Sequence, residues 1–164
     1  MLKFGLSRVC ITPDPGMELL GHPKSLKSDG KYTDLYSRSL FLSSNKGGEI
    51  LIISNDLCIL PTEVMLHIRE EIGKETGIKK DSIIVHTTHT HAGPAVAVVF
   101  DQESSDRKQQ EKIINSIINS GIKAFKNKAV GSIGIGSIDL KDISFNRCAV
   151  RCQVKKINSN SLEV

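Results

Sequence analysis

Apolar and polar positions in the first third of the chain follow the pattern of short strands. Three segments, 2–12 (LKFGLSRVCIT), 38–44 (RSLFLSS) and 49–55 (EILIISN), have the length, the β-branched content and the bounding turn residues that strands require. Pro13 ends the first segment, because proline has no N–H to donate to a strand ladder. Residues 45–48 (NKGG) form a turn, so the second and third strands are expected to pair as a hairpin.

Two later segments follow the helical period instead. Residues 62–76 (TEVMLHIREEIGKET) place valine and isoleucine at every fourth position, and Gly77 is suited to end that helix. A mostly apolar strand is predicted over 82–88 (SIIVHTT) and a second helix over 106–126. The run 49–88 therefore predicts a strand–helix–strand unit, in which the two strands are parallel.

The remaining segments complete a single-domain prediction. Residues 13–36 show no period and are rich in Gly, Pro, Lys, Asp and Ser, which indicates a long loop of the kind that often carries function. Two late strands are expected near 130–139 and 147–156. The fold class predicted is α/β: a mixed sheet that contains the βαβ unit, with both helices packed on it. One domain is expected over 1–164.

Composition excludes several classes of protein. The chain has 164 residues, of which 39% are apolar and 24% charged, as in a globular domain and unlike a disordered chain. No stretch approaches the 18 apolar residues of a transmembrane segment. The net charge of +4 is mild and scattered and aromatic residues are few, so no nucleic-acid partner is predicted. The N-terminus lacks the apolar core of a signal peptide, which predicts a cytoplasmic location.

The four cysteines give no motif of their own. No two of them have CxxC spacing: they are Cys10, Cys58, Cys148 and Cys152. We interpret them as reduced and mostly buried small residues.

One segment, 86–94 (HTTHTHAGP), is dense in chemical groups. It directly follows the predicted strand 82–88, and ligand sites in open α/β sheets lie beyond the carboxyl ends of strands. In an extended chain His89 and His91 point to the same side, because the side-chain period is two. They can then offer two imidazole ligands to one metal, or one ligand and one general base. A solvated loop is the alternative.

Small residues around the two histidines support a site. Thr88 and Thr90 can hydrogen-bond to the rings or to the turn backbone, and Gly93 gives a tight exit that lets a ligand approach. His86 would face away from His89 and is expected to be buried structure. His67 is expected on the solvent face of the first helix.

Further candidates lie outside the histidine segment. Asp56 ends the strand that would neighbour 82–88, where it could orient a histidine, help to bind a metal, or simply cap a turn. Arg147, after Asn146 at the start of a predicted strand, could bind a carboxylate, an amide oxygen or an oxyanion, or be an ordinary exposed arginine. A catalytic zinc usually has three protein ligands, and the two histidines supply two at most. Either Asp56 joins them or other ligands lie elsewhere.

Five segments, taken in order, resemble a known family. They are GLSRVCITP (5–13), DLYSRSL (34–40), ISNDL (53–57), THTHAGP (88–94) and FNR (145–147). The set is similar to the N-terminal part of the catalytic domain of the neutral/alkaline non-lysosomal ceramidases, whose signature is THTHSGP. The match is specific because the motifs occur in the family's order over most of the chain.

The resemblance implies a zinc-dependent amidohydrolase that cleaves N-acylsphingosine (ceramide) to sphingosine and fatty acid. It implies that His89 is a zinc ligand, that His91 assists proton transfer beside the metal, and that Arg147 is a polar active-site contact. The expected partner is a lipid or another N-acyl amide substrate. When zinc is bound, it polarises the amide carbonyl and acidifies water.

The chain also departs from the family pattern. Members are much longer, and their remaining zinc ligands, a later His, a Glu and a Tyr, have no counterpart here. The resemblance therefore implies an incomplete catalytic domain. A non-catalytic remnant or binding module on the same scaffold is one alternative. An unrelated small metal-binding or redox domain that uses His89, His91 and Asp56, with or without one of the cysteines, is another.

Overall fold

A computed structural model describes residues 1–96 and 107–139. In chain order the elements are β1 (Leu2–Cys10), β2 (Tyr36–Ser44), β3 (Glu49–Asn55), α1 (Thr62–Thr76), a 3-10 turn (Lys80–Ser82), β4 (Ile83–Thr87), α2 (Arg107–Lys126) and β5 (Ala129–Gly131). Chain contacts divide the protein into two units, Met1–Ser132 and Ile133–Val164. All the elements named above lie in the first unit.

The five strands form one mixed sheet in the order β4-β3-β2-β1-β5. The pairs β1–β2, β2–β3 and β1–β5 are antiparallel, whereas β3 and β4 are parallel, with α1 in the crossover between them. The predicted hairpin, the βαβ unit and the α/β fold class are thereby confirmed.

The last predicted strands need correction. In place of a strand over 130–139, the structure has only the three residues of β5, and residues 132–139 lie outside any strand. Glycine at 131, 134 and 136 explains the difference, because glycine gives a strand no side chain to pack. The predicted strand over 147–156 falls outside the described residues.

One face of the sheet carries the core. Alternate residues of β2, β3 and β4 are buried beneath the helices, as the period of two requires. Helix α2 packs across β1, β2 and β3 and against α1. Gly121 makes this approach close, since a Cβ built there would lie 2.7 Å from Cδ1 of Ile72. The buried residues at the centre are Phe41, Leu51, Ile53, Ile68, Ile72, Ile83, Ile113 and Ile117.

The helix α1 begins and ends where the sequence predicts. Ile68 and Ile72 are fully buried on one face of the helix. Gly77 follows it in the left-handed conformation (φ 77°), and its N–H donates to the carbonyl of Gly73 at 2.9 Å. A glycine at this position is favoured because it adopts a positive φ without the Cβ clash of other residues.

The opposite face of the sheet is partly exposed and is ordered in rows by the strand register. One row is apolar and is paired side by side across four strands: Leu6, Leu40, Ile52 and Ile84. The side chains at its two ends, Leu6 and Ile84, are 59% and 41% exposed. The neighbouring row is polar and comprises Arg8, Arg38, Ser54 and His86.

A long loop between β1 and β2 is tied down near its start. Leu19 N–H donates to the carbonyl of Leu26 at 2.7 Å, and Leu19 bridges Pro94 in antiparallel fashion. Its outer part is exposed, and Tyr32 there is 101% exposed. Within the part of the chain that the structure describes, no helix is both long and apolar enough to cross a membrane.

Candidate metal centre

The candidate site lies just beyond the carboxyl ends of β3 and β4. The parallel pairing continues past the strands: Thr88 N–H donates to the carbonyl of Asn55, and His89 N–H donates to the carbonyl of Leu57, both at 3.0 Å. The Thr87 hydroxyl donates to the carbonyl of Cys58, also at 3.0 Å. These bonds hold the turn after β3 (residues 56–58) against residues 88–93, which we call the histidine turn.

His89 is held in an uncommon backbone conformation. Its φ of 61° is left-handed, whereas the sequence-based argument assumes an extended chain. Its Nδ1 lies 3.1 Å from the carbonyl oxygen of Cys58. Because a carbonyl oxygen only accepts, this bond places the proton of the neutral ring on Nδ1 and leaves the Nε2 lone pair for a ligand. The orientation is that of a metal-binding imidazole.

His89 and His91 still face one another, although the chain turns between them. Their ring centroids are 5.2 Å apart in an edge-to-face arrangement. Together with Cys58 they form a group of three donors whose ligand atoms all lie within 4.8 Å of one another. Both histidines are exposed and Cys58 is buried, so the site opens to solvent on the histidine side.

The start of the long loop packs against His91. His22 Nε2 donates to the backbone carbonyl of His91 at 2.9 Å, and the two rings are 6.2 Å apart. Gly21, at φ 97°, lies so close that a Cβ built there would be 2.6 Å from Cγ of His91. The Leu20 N–H donates to the carbonyl of Gly93 at 3.2 Å, and this pairing fixes the loop beside the ring.

Cys58 is the member of the group that the sequence analysis did not single out from the four cysteines. It is 2% exposed, and its Sγ lies 3.8 Å from Nδ1 of His89. Burial raises the pKa of the Cys58 thiol above its ordinary value, because a thiolate is poorly solvated there. The interpretation of this residue as a buried, reduced cysteine fits its burial but overlooks its neighbours. The parallel register that led us to Asp56 also brings the next residues after β3 beside the histidine turn.

Asp56 is engaged elsewhere. Its Oδ2 accepts from the backbone N–H of Tyr36 at 2.9 Å and pairs with the Arg38 guanidinium at 2.8 Å. It is not in the group of three donors, which Cys58 joins instead. The structure therefore places this carboxylate in the β2–β3 pairing.

The small residues of the motif support the turn. Thr90 Oγ1 accepts from the backbone N–H of Ala92 at 3.2 Å, and the Thr88 side chain is exposed. Gly93 is buried, and a Cβ there would lie 3.2 Å from the carbonyl oxygen of Asp56. The expected tight exit at Gly93 thus packs on the turn after β3.

The other predicted residues separate into three outcomes. His86 is exposed on β4, so the expectation of a buried residue is wrong, because its side chain belongs to the partly exposed face of the sheet. His67 is exposed on α1, as predicted. Asn146 and Arg147 lie outside the described residues, and their roles stay predictions.

A cavity of about 690 Å³ lies beside the histidine turn. Its wall is formed by the long loop and by Ala92 and Pro94, which follow His91. The lining includes the apolar residues Pro13, Leu19, Leu26, Leu35, Ala92 and Pro94 and, from the outer part of the loop, the charged residues Lys27, Asp29 and Lys31. The apolar part of this lining suits an alkyl chain, and the charged residues offer contacts to a polar group.

Comparisons with known proteins agree on one family. The sequence profile of the neutral/alkaline non-lysosomal ceramidase family, N-terminal, matches residues 4–153. The neutral ceramidase of Pseudomonas aeruginosa is similar in structure, with a TM-score of 0.69 and 20% sequence identity over 77% of this chain. A ceramidase solved in complex with C2 gives a TM-score of 0.67, also at 20% identity over 77%. The chain spans only 22% and 21% of the lengths of those two proteins. At this identity the two structures establish the fold.

Proposed function

Because the chain belongs to the neutral/alkaline non-lysosomal ceramidase family, we propose that it carries part of the active site of a zinc-dependent amide hydrolase. The substrate class is an N-acylsphingosine or a related N-acyl amide. One observation carries the proposal: His89 and His91, the paired histidines of the THTHAGP motif, face one another at the end of a parallel strand pair. A mixed sheet with a ligand site at this edge is the arrangement that open α/β enzymes use.

The residues would divide the chemistry between them. His89 would bind the metal through Nε2, since its Nδ1 is engaged by the Cys58 carbonyl. When bound, zinc supplies Lewis acidity, which polarises a carbonyl and acidifies water. His91, exposed beside it, would accept a proton from the attacking water and return it to the amine that leaves. The resemblance adds Arg147 and Asn146 as polar contacts to the substrate.

The adjoining cavity supports an apolar substrate. An acyl or alkyl chain in this cavity would lie against Ala92 and Pro94, the residues that follow His91 in the motif. The loop that forms its other wall is held by the Leu19–Pro94 bridge and by the His22 bond to the His91 carbonyl. An acyl chain of the substrate that fills the cavity would also displace water from the reaction centre. Loss of that water strengthens electrostatic interactions there.

The proposal is tested by a chimera. Residues 4–153 replace the corresponding N-terminal segment of a neutral ceramidase, and hydrolysis of a fluorescent short-chain N-acylsphingosine is followed with zinc present. We expect activity that falls at least about 100-fold in His91→Gln, as for loss of a general base. His67→Gln is the matched control, because this histidine is exposed on α1.

Two results would contradict the proposal. One is a folded chimera that binds zinc and hydrolyses no N-acyl amide, which would favour the metal-binding module instead. The other is equal activity in His91→Gln and His67→Gln. The isolated chain is assayed in parallel, since it spans about a fifth of the two ceramidases.

A further inference from the structure

We infer that His22 is a positioning residue for His91: its ring N–H fixes the backbone of the histidine turn at His91 and so sets where the His91 imidazole stands. The inference rests on the proposed function in taking His91 as the group that moves the proton. It does not depend on a metal or on the identity of the N-acyl amide.

Residues 18–22 run antiparallel to residues 91–95 in one continuous register. Two backbone N–H groups donate to carbonyls across the pair, at 2.8 and 3.2 Å, and a β-bridge lies between them. The paired residues are, in order, Glu18 with Ala95, Leu19 with Pro94 and Leu20 with Gly93. Bonded pairs recur at every second residue of an antiparallel ladder, so the next bond in this register would join His22 to His91.

The His22 ring makes the bond that a regular ladder would make through the backbone. Gly21, at φ 97°, takes the chain out of the extended conformation just before this residue. The Nε2 of His22 lies 2.9 Å from the carbonyl oxygen of His91. Because a carbonyl oxygen only accepts, this bond places a proton on His22 Nε2. The side chain therefore extends the pairing by one step, up to the residue that is proposed to move the proton.

The imidazole of His91 has three close neighbours. The His22 and His89 rings meet it edge-to-face, with centroids 6.2 and 5.2 Å away. Gly21 lies against the base of the ring, since a Cβ built there would be 2.6, 2.7 and 2.8 Å from Cγ, Cδ2 and Nδ1. Nε2 is thus the His91 nitrogen farther from the loop, where it would exchange a proton with a substrate.

An exposed side chain needs support of this kind to act in catalysis. His91 is exposed, and such a side chain ordinarily samples several rotamers. Displacement of a reacting group by about 1 Å can cost about 100-fold in rate. A hydrogen bond to the carbonyl of His91 fixes the backbone from which its ring extends. His22 would therefore act on the rate through His91, without touching the substrate.

The competing explanation is that His22 only tethers the long loop. Two substitutions at this position separate the roles. His22→Leu removes the N–H and keeps a side chain of similar size, whereas His22→Gln keeps an N–H donor at about the reach of Nε2. His67→Leu is the matched control, because this histidine is exposed on α1.

The kinetic experiment uses the chimera that tests the proposed function. We expect kcat to fall at least about tenfold in His22→Leu while KM stays within about twofold, because the loss arises in the transition state. His22→Gln should stay within about threefold of the wild type, since it keeps the donor, and His67→Leu should match the wild type. In a His91→Gln background, His22→Leu should lower the rate no further, because it acts only through that ring.

The isolated chain gives a second readout that needs no activity. The Cε1–Hε1 signal of His91 in a ¹H–¹³C spectrum should move in His22→Leu and return toward its wild-type position in His22→Gln. Urea unfolding confirms that each variant is folded. If His22→Leu does not fold, His22→Asn takes its place, because the shorter amide does not reach the carbonyl.

Each outcome decides the inference. An unchanged kcat in His22→Leu, or equal losses in His22→Leu and His22→Gln, overturns it. A further loss when His22→Leu is combined with His91→Gln also overturns it, because that result indicates a tether. An unmoved His91 signal in His22→Leu has the same consequence. In each of these cases the proposed function stands if His91→Gln alone lowers the rate. A chimera that hydrolyses no N-acyl amide, or whose rate His91→Gln leaves unchanged, removes both proposals.

Discussion

The close approach of Gly21 to His91 gives the sharpest test of how the long loop supports the site. In Gly21→Ala the new Cβ would lie 2.6 Å from Cγ and 2.8 Å from Nδ1 of the His91 ring. Carbon atoms pack at about 3.5–4.0 Å, so the ring or the loop must move by about 1 Å. The same substitution also forces alanine into a positive φ of 97°.

The chain offers a control that separates these two effects. Gly16 has a φ of 104°, and a Cβ built there meets nothing within 4 Å. Gly16→Ala therefore carries the backbone strain, about 1–2 kcal/mol, without the clash. We expect Gly21→Ala to lose about 1–3 kcal/mol more than this control, as for an overpacked position.

Two assays follow from the geometry. Urea unfolding measures the free energy of unfolding of both variants against the wild type. The imidazole Cε1–Hε1 signals in a ¹H–¹³C spectrum report the His91 ring, and its signal should move in Gly21→Ala alone. A displacement of 1 Å at a reacting group can cost about 100-fold in rate, so activity of the chimera should fall in the same variant.

One outcome would contradict the packing of the loop on His91. If both variants lose the same stability and leave the His91 signal unchanged, the loop does not pack on the ring as described. A shifted His91 signal in Gly16→Ala would also contradict it, because a Cβ at residue 16 meets nothing within 4 Å.

Four other substitutions test the surroundings of the site and the fold that carries it. Gly121→Ala should destabilise the fold by about 1–3 kcal/mol in urea unfolding, since its Cβ would meet an α1 isoleucine methyl at 2.7 Å. Gly48→Ala, with open space around it, should cost less than about 1 kcal/mol. Gly77→Ala should lower the free energy of unfolding by about 1–2 kcal/mol, because φ is 77° there. Asp56→Asn should leave the affinity of the chain for Co²⁺, a spectroscopic substitute for zinc measured by titration, within about twofold. It should cost at most about 1 kcal/mol of stability, since its partner Arg38 is half exposed. A loss of binding in that variant would return Asp56 to the metal site.

The sequence predicts the scaffold well where periodicity is strong. Helix α1 spans Thr62–Thr76 as predicted, because its apolar residues recur at the helical period and Gly77 ends it. The parallel β3–β4 pair follows from the strand–helix–strand order. The short β5 is the exception, because glycine spacing imitates strand alternation without side chains to pack.

Within the site, the sequence identifies the histidines but not how they meet. His89 adopts a left-handed φ, which no period reveals. Asp56 pairs with Arg38, which lies 18 positions earlier on β2. The β2–β3 hairpin brings the Arg38 guanidinium within 2.8 Å of the Asp56 carboxylate. Cys58 joins the histidines through the parallel register past the strand ends. Local patterns report periodicity, whereas these contacts depend on which strands are neighbours.

The exposed outer part of the long loop offers a position for a fluorescent reporter of ligand binding in the cavity. Tyr32 is fully exposed and stands in the lining of the cavity beside the histidine turn. The chain contains no tryptophan. Tyr32→Trp would therefore give the protein a single indole emitter at the cavity mouth. Entry of an apolar chain would transfer that indole from water to a drier environment, and the shift of its emission to shorter wavelength would report occupancy without a labelled substrate.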